Sequence, residues 1–156
     1  MRHAIRAASL GAAIALSAIA GFAVAQTSTA SVIETRESQF RRLGAAFKGM
    51  NEAVRAREPN MASIRANAVT IEELAQQLPT WFPAGSGPGA GAPTAAKTEI
   101  WSDAAGFADQ AHLFQTAAAD LSAAARRGEM SAIRTEVRTL GQRCASCHTE
   151  FRERDN

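Results

Sequence analysis

Arg143-Cys144-Ala145-Ser146-Cys147-His148, near the end of a 156-residue chain, carries the most constrained pattern in the sequence. Two thiols separated by two residues, with a histidine directly after the second, form the pattern by which a c-type haem is attached. Each thiol adds to a vinyl group of the porphyrin, and the imidazole takes one axial position on the iron. On a helix, Cys144, Cys147 and His148 stand at i, i+3 and i+4, so one turn can hold the edge of the macrocycle together with its metal. The chain has only these two cysteines. Three other arrangements use the same residues. A thioredoxin-like redox pair opens a helix after a strand, and no strand pattern precedes Cys144. A structural zinc site wants four ligands, for which His3 and His112 are poor candidates. A plain disulfide would suit an exported chain.

Working outward, Met130, Ile133, Val137, Leu140, Cys144, Cys147 and Phe151 alternate at spacings of three and four, so both sulfurs lie in register with an apolar stripe. A haem held there would belong to the packing of a bundle and not to its surface. Arg152, four residues after His148, can sit near the imidazole or the haem propionates, or be an exposed terminal arginine. Arg126-Arg127-Gly128 marks the end of the preceding helix, with cations in its last turn and a glycine after it. That helix starts near Ser102-Asp103, and Ala104, Phe107, Ala111, Phe114, Ala118, Leu121 and Ala125 form its seam. Alanine there permits close approach of backbones or leaves room for a flat ligand. His112 lies off the seam and is expected in solvent.

Residues 29–57 form the first amphipathic helix, with Ile33, Arg36, Phe40, Leu43, Phe47, Met50 and Val54 on one stripe. Arg36 is out of place in such a stripe. It either snorkels from a helix end or reaches an anion inside the bundle, and haem propionates suit a guanidinium fork. Phe40, one turn on, would then lie over or beside the ring, or be ordinary core. Pro59-Asn60 separates this helix from a second, whose stripe is Met61, Ile64, Ala68, Ile71, Ala75 and Leu78. So short a connection makes the two antiparallel neighbours. Met50 and Met61 are possible soft iron ligands, although methionine on an apolar stripe is more often core. Between the second and third long helices, residues 79–99 carry Pro79, Pro83, Pro88 and Pro93 with Gly85, Gly87, Gly89 and Gly91, a composition that sustains neither helix nor ladder. Trp81, Phe82 and Trp101 are placed to pin this crossover to the bundle.

Residues 1–25 read as a cleaved secretory signal: Arg2 and Arg6, an apolar run, then Ala23-Val24-Ala25 before Gln26. The run is short for a membrane span and no second one follows, so the mature form should hold no membrane segment; a single N-terminal anchor helix is the alternative. Removing it changes the balance from 17 basic and 15 acidic residues to 15 of each. The mature chain is then near neutral, and its composition gives no argument for a nucleic-acid partner. Residues 26–156 suffice for one domain with a modest core, to which a buried haem would add. No phosphate loop or nucleophile-base pair emerges, and an enzyme is not expected.

Four helical seams, a long second crossover and the Cys144–His148 motif in the last helix resemble the cytochrome c prime family, the class II c-type cytochromes, which are up-and-down four-helix bundles. The expected fold is therefore all-α, an antiparallel four-helix bundle with a long loop between its second and third helices. Glu99-Ile100-Trp101-Ser102-Asp103-Ala104-Ala105 is similar to the family's stretch before its third helix, and Arg36 matches the family's first-helix arginine near a propionate. Phe40 stands where low-spin relatives have a methionine that ligates the iron. The resemblance implies one covalent haem c, attached after export to the periplasm, with His148 as the metal ligand and Cys144, Cys147, Arg36, Phe40 and Arg152 around the cofactor. It further implies a five-coordinate iron that binds NO or CO, exchange of electrons with redox partner proteins, and a homodimer paired through the first two helices. The competing expectation is a low-spin six-coordinate electron carrier, ligated through Met50 or another side chain.

Overall fold

The computed structural model describes residues 28–154, and the signal-peptide reading of residues 1–25 lies outside them. Four long helices carry the fold: α1 (Thr29–Arg55), α2 (Met61–Gln77), α4 (Ala104–Arg127) and α5 (Met130–Phe151), with the single turn α3 (Glu99–Ser102) ahead of α4. Their ends follow local chemistry. The Ser28 hydroxyl accepts from the Ser31 N–H, Asn60 Oδ1 from the Ser63 N–H and Asp103 Oδ1 from the Gly106 N–H, each satisfying a donor that the first turn leaves free. Gly128 closes α4 at φ +76°, a left-handed conformation that a side chain would oppose, and its N–H returns to the carbonyls of Ala124 and Ala125. Among the described residues the only β pairing is an isolated bridge between Ala96 and Arg152. The expected all-α bundle with a long second crossover is what forms.

Burial along each helix follows the three-four spacing, with Ile64, Ile71, Leu74, Leu121, Ile133 and Leu140 fully enclosed. The alanines of α4 serve two ends. Ala117, Ala118, Ala124 and Ala125 are buried where α4 packs closely along α2 and α5, whereas Ala111, further up the helix, borders a cavity. Helix α1 packs along α2 but meets α5 only over a short stretch, so the bundle is splayed on that side.

After α2 the chain makes a 3-10 turn, Leu78–Trp81, then the proline- and glycine-rich crossover. It is anchored as its aromatic residues predict. Trp81 is buried, and Trp101 Nε1 donates to the carbonyls of Phe82 and Pro83. Gly87 lies flat on the Trp101 ring, where a Cβ would come within 2.9 Å of it. The far end of the crossover is tied to the tail beyond α5: the Lys97 N–H donates to the Phe151 carbonyl and the Glu153 N–H to that of Ala95.

Leu121 is fully enclosed in the α4 seam away from the cavity. Replacing it with alanine should cost about 2–5 kcal/mol in denaturant unfolding of the haem-loaded protein. The visible spectrum should not change.

Candidate functional site

Where α1 and α5 part, the bundle encloses a cavity of 610 Å³, within the size range of about 300–1,000 Å³ usual for ligand pockets. Helix α5 contributes Arg143, Cys144, Cys147, His148 and Phe151, with Arg152 just past its end; α1 contributes Arg36, Glu37, Phe40, Arg41, Leu43, Gly44 and Phe47; α4 contributes Phe107, Gln110, Ala111 and Phe114. All six residues singled out from the sequence, Cys144, Cys147, His148, Arg36, Phe40 and Arg152, border this one space. Met50 is completely buried among core side chains and does not border it, and neither does Met61. His112 is exposed on α4, as its position off the seam predicts.

One side of the cavity is an edge-to-face run of rings. Phe40 meets Trp81 at 5.0 Å between centroids and Phe82 at 6.1 Å; Phe82 meets Phe107 at 5.0 Å, and Phe107 meets Phe151 at 5.4 Å. Each such pair contributes about 0.5–1.5 kcal/mol beyond the area it buries, so the run links α1 to α5 through rigid side chains. Phe40 and Phe47 are nevertheless only half-buried, although they belong to the inward stripe of α1, because one side of each borders the open space.

Arg36 is 3% exposed, which removes the snorkelling alternative. Its two terminal nitrogens donate to the Ser86 hydroxyl (3.1 Å), the Ser86 carbonyl (3.0 Å) and the Thr94 hydroxyl (2.8 Å), while the guanidinium carbon lies 4.8 Å from the Phe82 ring centre. Burial lowers its pKa, with the Glu37 charge opposing the shift, but an arginine stays protonated. Its described acceptors are neutral, so positive charge remains at the cavity wall. The contacts that Arg36 makes here hold the crossover. Ser86 and Thr94 were not identified from sequence, yet between Pro83 and Ala96 they are the only side chains able to accept a hydrogen bond. A buried arginine requires acceptors, which is the signal that points to them.

The chemistry of the thiols follows from their surroundings. Cys144 and Cys147 are unpaired and half-buried against the core. Burial raises both pKa values, that of Cys147 to about 11 with further help from the Cys144 and Glu150 charges. At neutral pH they are thiols, whereas a thioredoxin-like pair depends on a lowered pKa, and among the described residues no strand precedes them. Among the described residues no cluster of three or more His, Cys, Asp or Glu side chains could hold a metal ion, which disposes of the zinc alternative. Burial, then the Arg152 charge, lowers the His148 pKa, leaving a neutral imidazole with a lone pair for a metal. Gln110 Nε2 donates to Glu150 while its Oε1 is buried at the cavity wall with no protein partner. An apolar volume, two inward thiols, one imidazole and a buried cation together fit a covalently held haem.

Residues 31–152 match the family model described as Cytochrome C'. The chain belongs to the cytochrome c prime family. A cytochrome c prime of Rubrivivax gelatinosus is 33% identical over 123 residues, spanning 78% of this chain and 94% of the relative. A cytochrome c-556 of Agrobacterium tumefaciens is 30% identical over 124 residues, 79% of this chain and 98% of the relative. Among solved structures, the nitric oxide complex of a cytochrome c prime variant from Alcaligenes xylosoxidans superposes with a TM-score of 0.75 at 27% identity, over 83% of this chain and 99% of that one. A cytochrome c prime described as having a ligand-controlled dimer dissociation gives 0.77 at 26% identity, over 83% and 100%. As a member of the cytochrome c prime family this chain carries one covalently attached haem c, and Cys144 and Cys147 are its only cysteines.

Arg36→Met keeps the bulk of the side chain and removes its donors. It should cost about 2 kcal/mol, the scale of charge-assisted hydrogen bonds, and should speed proteolytic cleavage within residues 84–92. Cleavage at the wild-type rate would mean that Trp101 and the tail hold the crossover by themselves.

Proposed function

We propose that this chain is an exported, periplasmic haem c protein with a five-coordinate iron, and that it binds small neutral diatomic gases, NO and CO. The observation that carries this reading is that Phe40, Leu43 and Phe47 are the large apolar side chains that α1 presents to the cavity, beside the charged Arg36, Glu37 and Arg41, while Met50 is packed elsewhere. A phenyl ring cannot donate to a metal, so His148 would be the residue that holds the iron. The haem supplies the iron on which a diatomic ligand is held. The surrounding residues set which ligand can reach it. Phe40, braced by Trp81 and Phe82, excludes water and bulky molecules and has to move for a diatomic to enter. Leu43 and Phe47 beside it donate no hydrogen bond, so a ligand held against them that needs a polar partner, such as bound dioxygen, is disfavoured relative to NO or CO. Arg36 and Arg152 offer positive charge to the propionates.

Several accompanying features belong to the same reading. The protein binds and releases its ligand without chemical turnover, so it is not an enzyme. It exchanges electrons with redox partner proteins, and it forms a homodimer through α1 and α2, where Val69 on α2 is 45% exposed. A solved relative bound to nitric oxide supports the gas binding, and another with ligand-controlled dimer dissociation supports the pairing. Among the described residues no helix is long and apolar enough to cross a membrane, which accords with a mature form free of the bilayer.

The optical spectrum decides the matter. The ferrous protein should show high-spin bands that shift on adding CO; sharp low-spin bands indifferent to CO would establish the six-coordinate electron carrier instead. Phe40→Met should drive the iron towards six-coordination and weaken CO binding by more than about tenfold. An unchanged spectrum would show that residue 40 does not face the iron. His148→Ala should keep the covalent haem mass while abolishing the bands of the histidine-ligated iron.

A further inference from the structure

Helix α5 sorts its charges by side. Between Met130 and Thr149 the only carboxylate is Glu136. It stands two heptads before Glu150, whose carboxylate meets Gln110 of α4, so both acids face that helix. Arg134 and Arg138, one turn apart, lie on the other flank. A terminal nitrogen of Arg134 reaches the Val54 carbonyl of α1 (3.5 Å), and Gly141, further along the same row, lies against Phe47 of α1. On the solvent side of that row Ser131, Thr135, Gln142 and Thr149 are exposed and uncharged.

Helix α1 presents a matching row. Arg41, Lys48 and Arg55 recur every seven residues and so stand on one face, and all three are exposed. Arg41 borders the cavity together with Phe47, which places this row on the α5 side of α1. Arg41 reaches Glu37 at 3.8 Å and Lys48 reaches Glu52 at 3.9 Å, pairs between exposed side chains of one helix that hold their charges only weakly. Five cations therefore line the seam between α1 and α5 against two carboxylates, although residues 26–156 carry fifteen of each sign. The acidic excess lies elsewhere on the molecule.

A strip of one sign beside a redox centre raises the rate of encounter with a partner of the opposite sign and fixes how the two meet. This strip runs past the cavity that Cys144 and Cys147 border, so a protein seated on it lies beside the cofactor site. We infer that the seam between α1 and α5 is the docking surface for an acidic redox partner protein, with Lys48, Arg55, Arg134 and Arg138 meeting its carboxylates and Arg41 nearest the cofactor. An anionic bilayer offers the same charge, but a surface that binds it inserts apolar side chains as well. The large hydrophobic residues exposed among the described residues, Val69 and Leu113, belong to α2 and α4 instead. The strip lies on the α5 flank of α1 and leaves the α2 flank free for pairing with a second copy. This inference rests on the electron-exchange part of the proposed function.

The test follows, in stopped flow, reduction of the ferric haem-loaded protein by a reduced, acidic plant-type ferredoxin. One electron leaves the ferredoxin cluster, which is oxidised, and takes the haem iron from ferric to ferrous. The wild type should react at least about tenfold faster at about 10 mM ionic strength than at about 1 M, where the charges are screened. Arg138→Glu should slow the low-salt reaction about fivefold, and Lys48→Glu added to it should bring the loss to about tenfold or more. Both side chains are exposed and border no part of the cavity, so the visible spectrum and the melting temperature should stay those of the wild type. Gln76→Glu with Gln77→Glu, on the exposed face of α2, changes the net charge as much as Arg138→Glu does and should leave the rate within about twofold. If the wild type is reduced but the Lys48→Glu, Arg138→Glu double variant reacts at the same rate, or if the α2 variant slows it as much as Arg138→Glu, the docking strip is refuted and electron exchange stands. Sedimentation of the wild type with phosphatidylglycerol vesicles, lost in a double variant that ferredoxin reduces at the wild-type rate, would assign the strip to a bilayer and overturn the inference. If the ferric wild type takes no electron from ferredoxin, strip and electron exchange fall together.

Discussion

An apolar volume that no side chain fills is the constraint on which the rest of this structure depends. Protein interiors are packed to crystal-like density, and hydrocarbon facing an empty space forfeits both dispersion contacts and the gain from leaving water. Here α1 and α5 part, and phenylalanines from three helices border the gap. The walls are rigid because their rings interlock edge to face, so the gap cannot close by small adjustments. A flat apolar group tethered from α5 would turn that deficit into core, and the two cysteines bordering the gap are the side chains able to make such a tether.

The second requirement is electrostatic. A guanidinium that is 3% exposed, with neutral acceptors, is expensive in isolation and is kept only where further negative charge can approach it. Arg36 meets part of that need by drawing both ends of the proline- and glycine-rich crossover onto itself through Ser86 and Thr94. One residue thus joins cofactor charge to loop conformation. The crossover, too poor in side chains to have a core of its own, is shaped by three anchors: this arginine, the Trp101 indole and the backbone pairing with the tail after Phe151.

Local chemistry made much of this legible in advance. The spacing of Cys144, Cys147 and His148 is set by one turn of helix, the stripes of α1, α2, α4 and α5 by the helical period, and the helix ends by Asn60, Asp103 and Gly128, whose side chain or backbone freedom acts within a few residues. Arg36 was conspicuous for the same reason, as a charge in an apolar stripe. Such features depend on neighbours close in the chain, so the sequence by itself determined the four helices, their inward faces and the motif that carries the family's cofactor signature. What only the tertiary structure decided depends on residues far apart in the chain. That Met50 packs away from the cavity while Phe40 borders it, and that Ser86 and Thr94 meet Arg36 across fifty or more positions, both follow from where α1 comes to rest against α5 and the crossover. Periodicity assigns a residue to a face but cannot say whether that face meets another helix or open space.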